Sequence, residues 1–266
     1  MAPTLRSAAG SDTGMRRSMN QDSAATSPRL LVLADGMGGH AHGEVASTVA
    51  VTAFLDLAGR IKGTDLAGTD LLAGLSEAIG DASARINALA DAEPEMRGTG
   101  TTVVAFLVDG DRIGVLHIGD SRAYLLRDGE LQRMTRDHTL VQALVDEGRI
   151  SAEEAADHPR RSWLIRTLQD GAVAEPDLFV HEGRIGDRYL ICSDGVTAVL
   201  GDAAIRDVLA TRDQRADAVA DLIDRANAGG GPDNITCIVA DLVDEPAPAE
   251  ETPLIVGAAA ERSGGS

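Results

Sequence analysis

The chain alternates between stretches of helical and of strand-like hydrophobic pattern. Residues 30–34 are a short apolar run that predicts a strand, and the glycine-rich turn after Asp35 leads into a helical pattern over 44–61. Val45, Val49, Ala53 and Leu57 recur there at helical spacing, so one face is buried. A second amphipathic helix is predicted over 70–89, where Leu72, Leu75, Ile79, Ala82, Ile86 and Leu89 step by three and four. These two helices are expected to pack side by side on a sheet. From Thr99 the period shortens into apolar runs broken by "DGD", "GDS" and "RDGE", the signature of an antiparallel meander with Asp-Gly turns.

Residues 138–170 are more polar and compatible with helix, and they look like an insertion over the sheet. Strands at 177–182 and 187–193, helices at 203–210 and 212–227, and a last strand at 234–241 complete the folded part. The remaining 242–266 is rich in Pro, Ala and acid with no amphipathic period, and is expected to be a disordered tail. The element order gives an α+β chain with helices layered on antiparallel sheets.

Composition narrows the setting. At 266 residues and 44% hydrophobic, the chain can bury one large core, and with 2% aromatics that core must be built from Val, Leu, Ile and Ala. A formal charge of -18, with Lys62 the only lysine, argues against nucleic acid or an anionic membrane as partner. Cys192 and Cys237 fall within apolar strand-like runs and read as small buried hydrophobes. The N-terminus has no apolar signal core and no run approaches the ~18 residues of a membrane span, so a soluble cytoplasmic protein is expected.

Three aspartates stand at strand ends. Asp35 closes "LLVLADG", Asp194 closes "YLICSDG" and Asp233 opens "DNITCIVADL". Each alone reads as a turn or cap, although Asp233 precedes a strand rather than a helix, which removes the capping explanation. A sheet that brings these ends together gathers carboxylates at one edge, where hard divalent cations with oxygen ligands relieve their repulsion. Asp120 in "HIGDSR" and Asp22 in "RRSMNQD" have similar settings, and Arg16 or Arg17 before Asp22 offers a guanidinium for an oxyanion. The six histidines show no zinc spacing, no Ser or Cys sits in a nucleophile elbow, and no lysine-bearing phosphate loop is present.

Taken in order, "GMRRSMNQD", "LVLADGMGGHAHGEVAS", "RGTGTTVVAFL", "HIGDSRAYLLRDGELQRMTRDHT", "YLICSDGV" and "GGPDNITCIVADL" closely resemble the metal-dependent protein phosphatases of type 2C, specifically their compact bacterial members, over about 12–241. The resemblance implies a four-layer α-β-β-α sandwich of two antiparallel sheets flanked by helix pairs, a catalytic domain over 1–241, and a helical flap at about 138–170. It implies two Mn²⁺ or Mg²⁺ ions, with Asp35 bridging both, the Gly36 carbonyl on one, and Asp194 and Asp233 on the other. Asp120 matches the residue that holds a third, looser metal together with Asp194. Asp22 matches an acid that holds metal-bound water, and Arg17 the phosphate-binding arginine. Many eukaryotic members place a histidine directly after the Asp-Gly pair as general acid; Met37 stands there in this chain, and His40, three residues on, is the substitute.

The activity so implied is hydrolysis of phosphoserine and phosphothreonine on proteins by a metal-bridging hydroxide attacking phosphorus in line, opposing a bacterial Ser/Thr kinase. The implied partners are phosphorylated proteins, including a kinase and its targets, with the enzyme a monomer. Two rivals remain: a regulatory binding module that has lost its metals, and a phosphatase specialised for an antagonist in a sigma-factor pathway. The first predicts missing ligands, whereas every core carboxylate is present.

Overall fold

In the computed structural model the described residues are 3–38, 42–64, 66, 68–172, 174–245 and 252–263. In chain order the elements are β1 (Thr4–Asp12), β2 (Asp22–Thr26), β3 (Leu30–Met37), α1 (Gly43–Ile61), α2 (Leu71–Ala92), β4 (Gly100–Thr101), β5 (Val103–Asp109), β6 (Arg112–Ile118), β7 (Arg122–Arg127) and β8 (Glu130–Arg133). There follow α3 (Leu140–Asp146), α4 (Ala152–Ala156), β9 (Leu168–Gln169), β10 (Asp177–Glu182), β11 (Arg188–Cys192), α5 (Asp194–Thr197), α6 (Asp202–Thr211), α7 (Arg215–Ala228), β12 (Ile235–Val243), β13 (Leu254–Gly257) and α8 (Ala258–Ser263). Among the described residues no helix is long and apolar enough to cross a membrane.

Two antiparallel sheets stack face to face. One runs β1-β12-β11-β7-β8, the other β10-β6-β5-β3-β2-β13, with the short β4 and β9 attached beside β3. The run at 30–34 in β3 is apolar without a break because both of its faces are covered. Leu31 and Leu33 point into the core between the sheets, while Leu30, Val32 and Ala34 point into the layer under α1 and α2. A strand covered on both faces loses the polar alternation of a half-exposed one. On the opposite side, Leu190, Cys192, Val239 and Cys237 pack under α6 and α7, giving the four layers α-β-β-α. Cys192 and Cys237 are buried free thiols, paired across β11 and β12.

Two expectations are corrected. The run from Thr99 is not one meander: β5 and β6 pair in one sheet, but β7 and β8 belong to the other. The "GDS" at 119–121 is therefore a crossing between sheets rather than a hairpin turn, and Gly119 is required there twice over, by its φ of +111 and because a Cβ would come 2.5 Å from Thr102 Cγ2. The segment expected to be disordered from 242 is structured in part. β12 continues to Val243, and β13 adds antiparallel to β2, pairing Leu254 with Thr26 and Gly257 with Ser23. Ile255 packs on the α1 side and Val256 on the inter-sheet side, so this short apolar run obtains its burial from the open edge of β2.

Candidate active site

Antiparallel pairing sets one end of the sandwich. Asp22 at the start of β2 lies opposite Asp35 near the end of β3. Cys192 at the end of β11 pairs with both Arg122 at the start of β7 and Cys237 in β12. The residues just beyond those ends are Asp194, Asp120 and Asp233. The topology thus brings all five predicted aspartates to one edge of the two sheets. Gly36 sits in β3 with Gly43 O 2.1 Å and Gln21 O 2.6 Å from where a Cβ would be, so only glycine allows the loops around it to close. His40 lies outside the described residues. Met37 is the last residue of β3 and pairs with Gly100.

Asp22 is fully buried. Its Oδ2 accepts a 2.8 Å bond from Ser193 Oγ, which itself accepts from Thr236 N–H at 3.0 Å, and its Oδ1 has no hydrogen-bond partner. Burial pushes the Asp22 carboxyl up to about 6, against the pull of neighbouring hydroxyls. Asp35 is raised well above the ordinary carboxylate range, first by burial and then by the charges of Asp22, Asp194, Asp120 and Asp233. Asp194 is raised in the same way, with Arg17 opposing. Burial and Asp137 push Asp120 up to about 6. Arg17, half-exposed in the loop between β1 and β2, donates from Nη2 to Asp233 Oδ2 at 2.7 Å and is held protonated by that acid edge. Four acids raised by burial and repulsion, one with a buried oxygen that no donor reaches, form an all-oxygen donor set that hard divalent cations fit.

Residues that sequence reasoning did not single out hold this edge together. Asn234 Oδ1 accepts from Gln21 N–H at 2.9 Å, and its Nδ2 donates to Thr13 O and Met19 O, both at 2.9 Å, so one amide fixes the loop that carries Arg17. Thr102 grips the Asp35 peptide from both sides: its N–H donates to Asp35 O at 2.9 Å and its Oγ1 accepts from Asp35 N–H at 3.1 Å. Beside the acids, a cleft of about 520 Å³ runs between Asp120 and Asp194 on the core and Val141, Ala155, Arg161 and Ser162 of the 138–170 insertion, which is built on α3 and α4.

The aspartates are spread more widely than a tight ligand trio. Among the described residues, the one group of three His, Cys, Asp or Glu with ligand atoms within 4.8 Å of each other is His117, His138 and Asp177. Their proton states exclude a metal there. Gly119 N–H donates to His138 Nδ1 at 3.1 Å, so His138 Nε2 carries the proton and donates to Asp177 Oδ2 at 3.1 Å. A cation at Nε2 would require an imidazolate.

A family model for protein phosphatase 2C matches residues 10–239. Over 240 residues the chain is 50% identical to the serine/threonine protein phosphatase PstP of Mycobacterium tuberculosis, covering 90% of this chain and 45% of that protein. It thus spans about half the length of that relative. A serine/threonine phosphatase, stp, of Listeria welshimeri is 34% identical over 233 residues, covering 86% of this chain and 92% of that one. The crystal structure of the Mycobacterium tuberculosis PstP superposes with a TM-score of 0.85 at 50% identity, over 90% of this chain and 99% of that one. The PstP catalytic domain in complex with two manganese ions does so at 0.83 and 48%, over 91% of this chain and all of that one.

Proposed function

The chain belongs to the protein phosphatase 2C family, and on that premise we propose that it hydrolyses phosphoserine and phosphothreonine on proteins, opposing a bacterial Ser/Thr kinase as a cytoplasmic monomer. The observation that carries this reading is the convergence of Asp22, Asp35, Asp120, Asp194 and Asp233 on one sheet edge facing Arg17. Asp35, the Gly36 carbonyl, Asp194 and Asp233 would hold two Mn²⁺ or Mg²⁺ ions, a reading that the two manganese ions in the PstP catalytic domain support. Asp120 with Asp194 would hold a third, looser one. When bound, the cations supply Lewis-acid activation of water and neutralise phosphoryl charge.

The chain's own groups do the rest. Arg17 turns its fork of N–H donors from Asp233 to the phosphoryl oxygens, where two parallel bonds orient the group. Asp22, with its Oδ1 lacking a donor, accepts a hydrogen bond from the attacking water and so fixes its direction. His40 donates the proton to the departing seryl or threonyl oxygen. The insertion over 138–170 walls the cleft and limits access of bulk water. The test is release of phosphate from a phosphothreonine peptide in Mn²⁺. Chelator should abolish it, and so should Asp35→Ala, Asp194→Ala or Asp233→Ala; near-normal turnover by a folded Asp35→Ala protein sinks the assignment.

A further inference from the structure

The segment formed by β13 and α8 lies against the strand that carries Asp22. Gly257 pairs with Ser23, the residue after Asp22, and a Cβ on Gly257 would stand 2.2 Å from Asp22 O. Where β13 passes into α8, Ala259 N–H donates to Ser23 Oγ at 3.1 Å. Ser23 Oγ in turn meets Ser47 Oγ at 3.0 Å. Ser47 Oγ lies 2.6 Å from Gln21 O against 3.3 Å from Glu44 O, so its proton goes to Gln21 O and Ser23 must donate to Ser47. Gln21 O accepts a second bond, from Gly36 N–H at 3.2 Å. The donors thus run one way without a gap, from Ala259 through Ser23 and Ser47 to the carbonyl that holds Gly36. The carbonyl of Gly36 itself is the proposed cation ligand.

This relay is dry, because Ser23 and Ser47 are fully buried and Ala259 is nearly so. In such surroundings each hydroxyl depends on its neighbour for a partner, and loss of one member leaves another unsatisfied. A second path runs along the surface: Arg262 of α8 lies 3.7 Å from one oxygen of Glu44, whose other oxygen accepts from Gln21 Nε2 at 3.2 Å. Gly36 is wedged between Gln21 O and Gly43 O, so it can shift only if one of them does. The tail is tied to both sides of that wedge, to Gln21 by the relay and to the first turns of α1 through Ser47 and Glu44. We propose that residues 254–263 are a positioning element for the Gly36 carbonyl, so that docking of this segment on β2 and cation binding at Gly36 favour each other. This rests on the reading of the Gly36 carbonyl as a cation ligand.

The path can be cut at two points in the full chain. Ile255→Asp puts a charge where Ile255 packs against the α1 layer and should release the tail, which loss of amide protection over 254–257 confirms. Ser23→Ala removes the middle hydroxyl, while the ladder between β13 and β2 keeps the tail docked. Mn²⁺ binding is followed by calorimetry. Each variant should weaken the Mn²⁺ event that Asp35→Ala abolishes by roughly five- to tenfold, as expected for one buried hydrogen bond. The double variant should weaken it no further, since both cuts break one path. By reciprocity, saturating Mn²⁺ should slow amide exchange over 254–257 in the wild type by the same factor, and in Ser23→Ala by less than about twofold. A Mn²⁺ affinity unchanged within about twofold in Ser23→Ala overturns the proposal even where Ile255→Asp fails to fold. Additive losses in the double variant, or equal slowing of exchange in wild type and Ser23→Ala, overturn it as well. A wild type with no Mn²⁺ event that Asp35→Ala abolishes refutes the reading of the metal site itself, and the coupling with it.

Discussion

Asp22→Asn should stabilise the metal-free protein at neutral and alkaline pH while impairing its chemistry. The carboxyl is fully buried, accepts one bond from Ser193, and leaves Oδ1 without a donor. Burial raises it from 3.8 to about 6 in the fold. A raised acid stabilises the fold below its unfolded pKa, and that contribution is lost as pH rises through about 6. At about pH 8 the ionised carboxylate therefore costs about 3 kcal/mol, at 1.36 kcal/mol per pH unit of displacement. An amide removes that cost but places N–H donors where Oδ1 has no partner, a loss of about 1–2 kcal/mol. The net gain is about 1–2 kcal/mol, or roughly 2–8 °C in Tm for a chain of this size. Thermal unfolding followed by circular dichroism in chelator at about pH 8 and about pH 4.5 tests this, because at the lower pH the carboxyl is already neutral and the gain should vanish. An unchanged or lower Tm at about pH 8, or an equal gain at both pH values, refutes the reasoning.

Arg17→Ala should lower kcat/KM toward a phosphothreonine peptide by about a hundredfold, as expected for removing a charged fork from the phosphoryl group, and leave Tm nearly unchanged because the side chain is half-exposed. Asp187 is opposed by its burial but held below the usual carboxylate range by Arg127, the Arg184 N–H and Tyr189, at 2.6–2.9 Å. A depressed acid contributes stability above its unfolded pKa and loses it as pH falls through the folded value, so Asp187→Asn should cost about 2–4 kcal/mol at neutral pH and flatten the acid limb of the stability curve in urea titrations. Ending the chain after Glu245 removes β13 and α8 with buried Ala258 and Ala259, and should destabilise by roughly 2–4 kcal/mol, measured as a lower urea midpoint.

What was legible in the sequence was what short-range periodicity encodes. Helix α1 is expected over 44–61 and occupies Gly43–Ile61; of its expected inner face Ala53 and Leu57 are buried, whereas Val45 and Val49 lie at the flank, because the buried stripe is turned to Ala46, Ala50, Phe54 and Leu57. The two errors arise where the deciding contact is distant. "DGD" at 109–111 and "GDS" at 119–121 look alike, yet the first closes the β5–β6 hairpin and the second carries the chain to the other sheet. The second strand's place is set by its pairing with β11, more than sixty residues on. Likewise "LIVG" at 254–257 is too short, among prolines and acids, to specify a strand by composition, and it becomes one because β2 offers an unpaired edge.

The site divides in the same way. Strand-ending aspartates are visible because a polar residue that stops an apolar run breaks a local pattern. The groups that aim them, Ser193 on Asp22, Thr102 on Asp35 and Asn234 on the Arg17 loop, are common polar residues whose bonds span from 67 to more than 200 positions. Nothing nearby in the chain marks them. His117 and His138 are hidden for the same reason, since they meet only after the turn at Asp120 has moved the chain between sheets. A cluster of like charges must be held against its own repulsion by partners from elsewhere in the fold. The aspartates that bring charge to this edge are therefore readable one at a time, whereas the donors that fix their geometry become readable only once the two sheets are stacked.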